Sequence, residues 1–186
     1  MKKFQFYPKY KEEIKIFLLC LILVPSAILI HELGHIIASV LLGFPFVLHY
    51  NRVSGLEGSC EKDIGVLNCI INSAAGPLMT LLMGGIMVYL FKKRKNIFFF
   101  VFGSIFAGRA FVNPLLGMGD ENLINILLKL PPYTIYLITL VISLLYAFIL
   151  VKNLEENRVK VICATIIGSL VGLFLWFNLI GPLILP

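Results

Sequence analysis

The sequence predicts an all-α fold: a polytopic membrane helix bundle of about five transmembrane helices, forming one integral membrane domain over residues 1–186. Hydrophobic residues make up 59% of the chain and charged residues only 14%, and the mean hydropathy is +0.95. Soluble domains are about one quarter charged. The apolar residues also run in continuous segments, so no soluble domain of useful size is expected.

Five apolar segments are long enough to cross a bilayer, which takes about 20 residues for a hydrocarbon core roughly 30 Å thick. They cover residues 16–43, 64–91, 97–119, 131–151 and 161–186. Because lipid cannot satisfy unpaired backbone groups, each segment is expected to be a helix. A cleaved signal peptide is not expected, since the first apolar run is longer than an h-region of about 7–15 residues.

The connections between these segments carry weaker signals. FVLHYNRV, residues 46–53, is β-branched and aromatic and is followed by Ser54 and Gly55, which indicates a short β-hairpin or strand at the membrane edge. Near the end of the third segment, Pro114, Gly117 and Gly119 should break or unwind the helix. LINILLKLPP, residues 123–132, is too short to span and is expected to form an interfacial or re-entrant turn.

The basic residues are distributed unevenly. Twelve of the sixteen Lys and Arg residues precede the first segment or join the second to the third and the fourth to the fifth, whereas only three lie in the alternate loops. This bias predicts a multi-pass protein of the cell membrane with a cytoplasmic N-terminus and an external C-terminus. The basic runs are therefore interpreted as topology signals. The lipid bilayer is the expected partner of these residues, and no nucleic-acid partner is expected.

The four cysteines contain no CxxC pair and are poor metal ligands by pattern. Buried apolar thiols are the ordinary expectation for most of them. Cys60 and Cys69 both approach the predicted outer face, and their positions allow a disulfide without requiring one.

The motif HELGH, residues 31–35, places ionisable side chains inside the first apolar segment. His31 and His35 are four residues apart, so a helix stacks both imidazoles on one face, where they can bind one Zn²⁺. Glu32 lies beside them and can take a proton from a zinc-activated water. The other interpretation is two histidines hydrogen-bonded in a bundle core. Ionisable residues within a membrane are costly and usually functional, which favours the zinc site.

A catalytic zinc site has three protein ligands and an open position. His31 lies fifteen residues into the first segment, on the order of 23 Å at 1.5 Å per residue, and therefore in the outer half of the bilayer. The third segment also ends at the outer side, so Asp120 or Glu121 can meet HELGH at a similar depth. His49 has no fixed position near the motif. Three acidic residues of the first loop fit a solvated cluster better: Glu57, Glu61 and Asp63.

Three motifs occur in order: HELGH, then NSAAGP at residues 72–77, then NPLLGMGD at residues 113–120. Together they resemble the site-2 protease family of intramembrane zinc metalloproteases. The resemblance implies a three-helix catalytic core over residues 16–121, with two accessory transmembrane helices over residues 131–186. It implies that His31, His35 and Asp120 bind zinc and that Glu32 is the general base. The family's Asp is usually followed by Gly, so Glu121 remains the alternative metal ligand.

The same resemblance implies substrate binding at Asn72, Gly76 and Pro77, and we expect Asn113 to join them. Asn72 could instead be an ordinary interhelical hydrogen-bonding residue. The Gly-Pro pair predicts a local break in the second helix. Arg109 and Asn113 precede Asp120 by eleven and seven residues, so a continuous helix would align all three. Arg109 is expected to be a member of a structural ion pair or to snorkel, and the other interpretation is that it pairs with a carboxylate or stabilises an oxyanion.

These expectations lead to one function and one alternative. The first is hydrolysis of a peptide bond in a membrane-embedded or membrane-adjacent segment of a protein or peptide substrate, with zinc as cofactor and Glu32 as base. The alternative is a non-catalytic zinc-binding membrane protein, such as a pseudoprotease or a peptide-binding or immunity partner, for which Glu32 would be unnecessary. A zinc transporter is disfavoured because the last two segments are almost free of polar residues.

Overall fold

The computed structural model describes residues 11–48, 53–54, 65–116, 119–154 and 158–185. In these ranges the chain folds into helices, with one short strand pair after the first helix. The helices are α1 Lys11–Leu42, α2 Val66–Arg94, α3 Ile97–Leu116, α4 Asp120–Leu127, α5 Thr134–Lys152, α6 Arg158–Leu175 and α7 Gly181–Ile184, with a π-helical turn at Trp176–Ile180. The all-α class predicted from the sequence is confirmed.

Among the residues that the structure describes, four helical stretches are long and apolar enough to cross a membrane, which indicates a membrane protein. They are Lys11–Leu42, Val66–Arg94, Thr134–Lys152 and Arg158–Ile184. The third predicted segment contributes a shorter apolar stretch, Ile97–Phe111. Many large apolar side chains on these helices are exposed at the surface of the bundle, which is the arrangement expected where lipid replaces water as the surrounding solvent.

Helix α1 packs against α2, α3 and α6, and α3 packs in turn against α2 and α5. The main apolar core lies where α2 turns into α3. There the rings of Phe91 and Phe100 meet edge to face with centroids 5.4 Å apart. Lys95, at φ 52°, makes this turn and donates from Nζ to the carbonyl oxygen of Asn153 at 2.9 Å. The connection is therefore tied to the end of α5.

The predicted end of the third helix is observed, because α3 stops at Leu116 and α4 starts at Asp120. Gly119 before α4 is extended, at φ −85° and ψ 177°. Arg109 and Asp120 therefore lie on two separate helices and not on one face of a continuous helix. The first half of the predicted interfacial turn, residues 123–127, belongs to helix α4. Its Asn125 Oδ1 accepts a hydrogen bond from the Ile135 N–H at 3.0 Å, and this bond attaches α4 to the start of α5.

The predicted hairpin is present as two antiparallel strands, β1 Val47–Leu48 and β2 Val53–Ser54, with Leu48 paired to Val53. Gly43 ends α1 at φ +77°, a left-handed conformation that favours glycine at helix ends. His49 and the rest of the turn fall outside the described residues.

The predicted local break at Gly76 and Pro77 is wrong, because α2 runs unbroken from Val66 to Arg94 with Pro77 inside it. Proline removes one backbone donor and crowds the preceding turn. Gly76 and Pro77 are both buried, and α2 packs against both α1 and α3, as is common for proline-containing helices in membrane bundles, where neighbouring helices stabilise the backbone.

Among the described cysteines, Cys20 and Cys163 are free and Cys69 is disulfide-bonded. Cys69 is fully buried at the start of α2. Cys60, whose pairing with Cys69 the sequence allows without requiring it, lies outside the described residues.

The α1–α6 interface depends on a glycine. A Cβ added at Gly168 would lie 2.9 Å from Cys20 Cβ and 3.3 Å from the Phe17 Cα. We expect Gly168→Ala to destabilise the bundle by about 1–3 kcal/mol through overpacking, measured as a lower thermal midpoint in detergent. Gly108→Ala is the control, because a Cβ there meets nothing within 4 Å. An unchanged midpoint for Gly168→Ala would contradict this account.

Candidate metal centre

His31, Glu32 and His35 lie within one turn of α1 and are all buried, with exposed fractions of 5%, 6% and 7%. Helical periodicity places His31 and His35 on one face, and their Nε2 atoms are 3.2 Å apart. The ligand atoms of the three residues all lie within 4.8 Å of one another. This buried group could hold a metal ion.

The histidines are buried because α1 and α2 approach each other unusually closely. A Cβ at Gly34 would overlap the carbonyl group of Ala75, and a Cβ at Gly76 would overlap both imidazole rings. The absence of side chains at these two positions lets the backbones touch. Gly76 of NSAAGP therefore packs directly against the histidines of HELGH.

Helix α2 also orients each imidazole through its Nδ1 atom. His35 Nδ1 donates a hydrogen bond to the backbone carbonyl oxygen of Asn72 at 2.8 Å. His31 Nδ1 lies 3.1 Å from Thr80 Oγ1, and that hydroxyl donates to the Gly76 carbonyl oxygen at 3.1 Å. Because Thr80 spends its proton on Gly76, it accepts from His31 Nδ1–H. With Nδ1 protonated, each imidazole presents its Nε2 lone pair at the site, the orientation that outer-shell partners of metal-binding histidines commonly ensure.

Asp120, the first residue of α4, completes a triangle with the two histidines. Its Oδ2 is 3.1 Å from His31 Nε2 and 3.5 Å from His35 Nε2. Asp120 Oδ2 thus faces the Nε2 atoms of both imidazoles, and a carboxylate oxygen is an ordinary zinc ligand.

The size of this triangle fits a tetrahedral metal. Metal–nitrogen and metal–oxygen bonds of about 2.0–2.1 Å at tetrahedral angles separate neighbouring ligand atoms by about 3.3–3.4 Å. The three observed edges are 3.1, 3.2 and 3.5 Å. Two imidazole nitrogens and one carboxylate oxygen also form a donor set that suits zinc.

Glu32 lies at the side of this triangle, with Oε1 4.0 Å from His31 Nε2. It comes next to His31 in the sequence, so its side chain leaves the helix in a different direction from the two imidazoles. Glu32 Oε1 is thus near the triangle without being one of its three corners. A carboxylate in this position can accept and donate protons next to a bound metal.

Arg109 of α3 adds a cation to the centre. Its Nη1 donates to Thr80 Oγ1 at 2.9 Å, and its Nη2 lies 2.8 Å from His31 Nε2 and 3.4 Å from Asp120 Oδ2. The guanidinium also contacts His31 Nδ1. The break between α3 and α4, rather than a continuous helix, brings Arg109 and Asp120 together.

Three further residues predicted for the site, Asn72, Asn113 and Glu121, lie on α2, α3 and α4. Asn72 holds His35 through its carbonyl oxygen, and its Oδ1 accepts from Ser39 Oγ at 3.1 Å. Asn72 thus has the interhelical hydrogen-bonding role that was the other interpretation. Glu121 is buried, 5% exposed, on α4. Asn113 belongs to α3, and its side chain is outside the described part of the chain.

Thr80 and Ser39 were not found by sequence reasoning. Each is a hydroxyl residue four positions beyond a residue already singled out, Thr80 after Gly76 and Ser39 after His35. That spacing on a helix keeps both hydroxyls on the face that carries the site. This four-residue spacing is the sequence feature from which Thr80 and Ser39 could have been predicted.

Thr80 gives a direct test of how the imidazole is oriented. Thr80→Val keeps the side-chain shape but removes the acceptor for His31 Nδ1–H, so metal affinity should fall about 10–100-fold. Competition with a chelating dye on detergent-purified protein measures the affinity. Thr165→Val is the control, since the hydroxyl of buried Thr165 donates within its own helix, to the Val161 carbonyl oxygen at 2.8 Å, and the substitution keeps the backbone carbonyl that accepts from Cys20 Sγ. Equal affinity in Thr80→Val and wild type would contradict the role given to Thr80.

Comparisons of the chain with models of protein families, with curated proteins and with solved structures found no match. The functional interpretation therefore depends on the motifs and on the geometry of the centre.

Proposed function

We propose that this protein is a zinc-dependent membrane metallopeptidase that cleaves a peptide bond in a membrane-embedded or membrane-adjacent segment. The single observation that carries the proposal is the triangle formed by His31 Nε2, His35 Nε2 and Asp120 Oδ2, whose edges of 3.1–3.5 Å match a tetrahedral metal. The resemblance to site-2 proteases in motif order, HELGH, NSAAGP and NPLLGMGD, supports the same function.

In this proposal His31, His35 and Asp120 would hold the metal. A bound Zn²⁺ would supply a Lewis acid that polarises a carbonyl group and lowers the pKa of a water to about 7. Glu32, with Oε1 4.0 Å from His31 Nε2, takes the proton of the attacking water. The same carboxyl then gives the proton to the leaving amine.

The substrate is a peptide segment at or within the membrane, because the centre is built on long apolar helices. HELGH lies in α1, NSAAGP lies in α2, and both helices are long and apolar enough to cross a membrane. A helical substrate has to unwind locally, since its amides are otherwise hydrogen-bonded. The strand pair β1–β2 after α1 offers a backbone edge along which an extended segment could pair.

The main alternative is a zinc-binding membrane protein without catalysis, such as a pseudoprotease. Glu32 argues against it. A site that only binds metal has no need of a carboxyl beside His31, whereas a general base has to lie close to the attacking water, and Glu32 Oε1 is 4.0 Å from the ligand atom His31 Nε2.

The metal content distinguishes the two acidic neighbours. We expect about one zinc per chain in detergent-purified wild type, as one tetrahedral site predicts, and we expect Asp120→Ala to lose it. Glu121→Ala is the matched control and should keep the zinc. Elemental analysis together with protein concentration gives the ratio. Loss of zinc in Glu121→Ala alone would move the third ligand to Glu121, and absence of zinc from folded wild type would remove the proposal.

The role of Glu32 is tested by a neutral replacement of the same shape. Glu32→Gln should retain zinc, because Glu32 is not one of the three ligands, but should lower cleavage at least about 100-fold by removing the general base. Release of a fluorescent fragment from a helical membrane peptide measures cleavage, with chelator as a second control. Full activity of Glu32→Gln would contradict the mechanism, and zinc binding without any cleavage by wild type would favour the non-catalytic alternative.

A further inference from the structure

The five charged or metal-binding side chains of the centre are not equally accessible. His31, Glu32 and His35 are 5–7% exposed, whereas the side chains of Asp120 and Arg109 are 28% and 24% exposed. The α1 side of the centre is therefore closed, and the open side is the edge that α4 and α3 form with these last two residues. A ligand that reaches the centre meets Arg109 as it enters.

Arg109 is held in a defined orientation at that edge. Nη1 donates to Thr80 Oγ1 at 2.9 Å and Nη2 donates to Asp120 Oδ2 at 3.4 Å. A guanidinium has a planar fork of N–H donors that suits carboxylates and other anionic oxygens. Thr80 and Asp120 together keep this fork beside the ligand triangle.

A cation at this place is unfavourable for a site that only holds a metal. Nη2 lies 2.8 Å from His31 Nε2, one of the atoms that would bind the metal, so a guanidinium and a dication would be close neighbours. Like charges at such distances repel strongly where solvent is partly excluded. The carboxylates of Asp120, 3.4 Å from Nη2, and of Glu32 offset part of this repulsion, but they supply two negative charges against the three positive charges of a dication and a guanidinium. An anionic oxygen of a bound ligand between the two cations would supply the third negative charge.

We infer that Arg109 binds an anionic oxygen of the substrate at the open edge of the centre. This inference rests on the proposed function and names the chemistry that the site recognises beyond the metal. The oxygen belongs either to a planar carboxylate of the substrate or to the tetrahedral oxyanion that forms when water adds to the scissile carbonyl. In both cases Arg109 touches the substrate, and Thr80 positions Arg109.

The test uses the full chain in detergent loaded with Co²⁺, whose visible absorption reports changes at the metal without any catalytic turnover. Acetate is the planar probe and methylphosphonate is the tetrahedral probe. Wild type, Arg109→Gln and Arg109→Lys are titrated with each. Arg94→Gln is the matched control, because Arg94 ends α2 eighteen residues beyond Gly76, about 27 Å away along the helix.

We expect Arg109→Gln to bind Co²⁺ at least as tightly as wild type, because a neighbouring positive charge is removed. Affinity for at least one probe should fall about tenfold or more, the effect of losing one charge-assisted hydrogen bond. Arg109→Lys should recover part of that affinity, and Arg94→Gln should match wild type. Loss of methylphosphonate binding alone assigns Arg109 to the oxyanion, and loss of acetate binding alone assigns it to a carboxylate.

Two results would overturn the inference while leaving the proposed function in place. In the first, Arg109→Gln binds Co²⁺ and both probes as wild type does. In the second, Arg109→Gln and Arg109→Lys both lose Co²⁺, which makes Arg109 a brace for Asp120. Failure of wild type itself to bind Co²⁺ would instead count against the metal centre.

Discussion

The centre depends on one close contact, the approach of α2 to α1 at Gly34 and Gly76. A side chain at Gly34 would collide with the Ala75 carbonyl group, and a side chain at Gly76 would collide with the imidazoles. Helices in a membrane gain little from apolar burial against each other, so close packing and hydrogen bonds carry their association. This contact brings the Asn72 carbonyl oxygen and the Thr80 hydroxyl within hydrogen-bonding distance of the two Nδ1 atoms. Without it the histidines would lose these two hydrogen-bond partners and the close packing that buries them.

The charges of the centre compensate one another. Buried ionisable groups are costly unless they are paired and hydrogen-bonded, and here two imidazoles are surrounded by carboxyls and a guanidinium from three different helices. Asp120 contacts the imidazoles because α3 ends before this residue and the separate helix α4 begins with it. Arg109 of α3 lies with its Nη2 atom 3.4 Å from Asp120 Oδ2. The end of α3 therefore positions two of the charged groups at once. On one continuous helix, the helical period alone would have set the directions of the Arg109 and Asp120 side chains.

The bundle separates its apolar core from its polar centre. The core around Phe91 and Phe100 lies at the turn between α2 and α3, about fifteen residues along α2 from Gly76 and so about 23 Å away. Aromatic packing and the Lys95–Asn153 hydrogen bond fasten that end. Because that apolar core stabilises the bundle, the metal centre can include the partly exposed side chains of Asp120 and Arg109. Sites built on rigid elements hold their geometry better than sites built on loops alone.

The sequence alone determined the all-α class, the apolar segments, and the shared face of His31 and His35, because these follow from composition and from the local period of a helix. It also indicated the end of the third helix through Pro114 and two glycines. Only the tertiary structure decided that Gly76 packs on the imidazoles, that Thr80 orients one of them, and that α2 stays unbroken at Pro77. It also placed Asp120 in contact with both histidines, a choice that the adjacent Asp120 and Glu121 left open. Such contacts join residues far apart in the chain, and their distances depend on how whole helices pack, which no local pattern specifies.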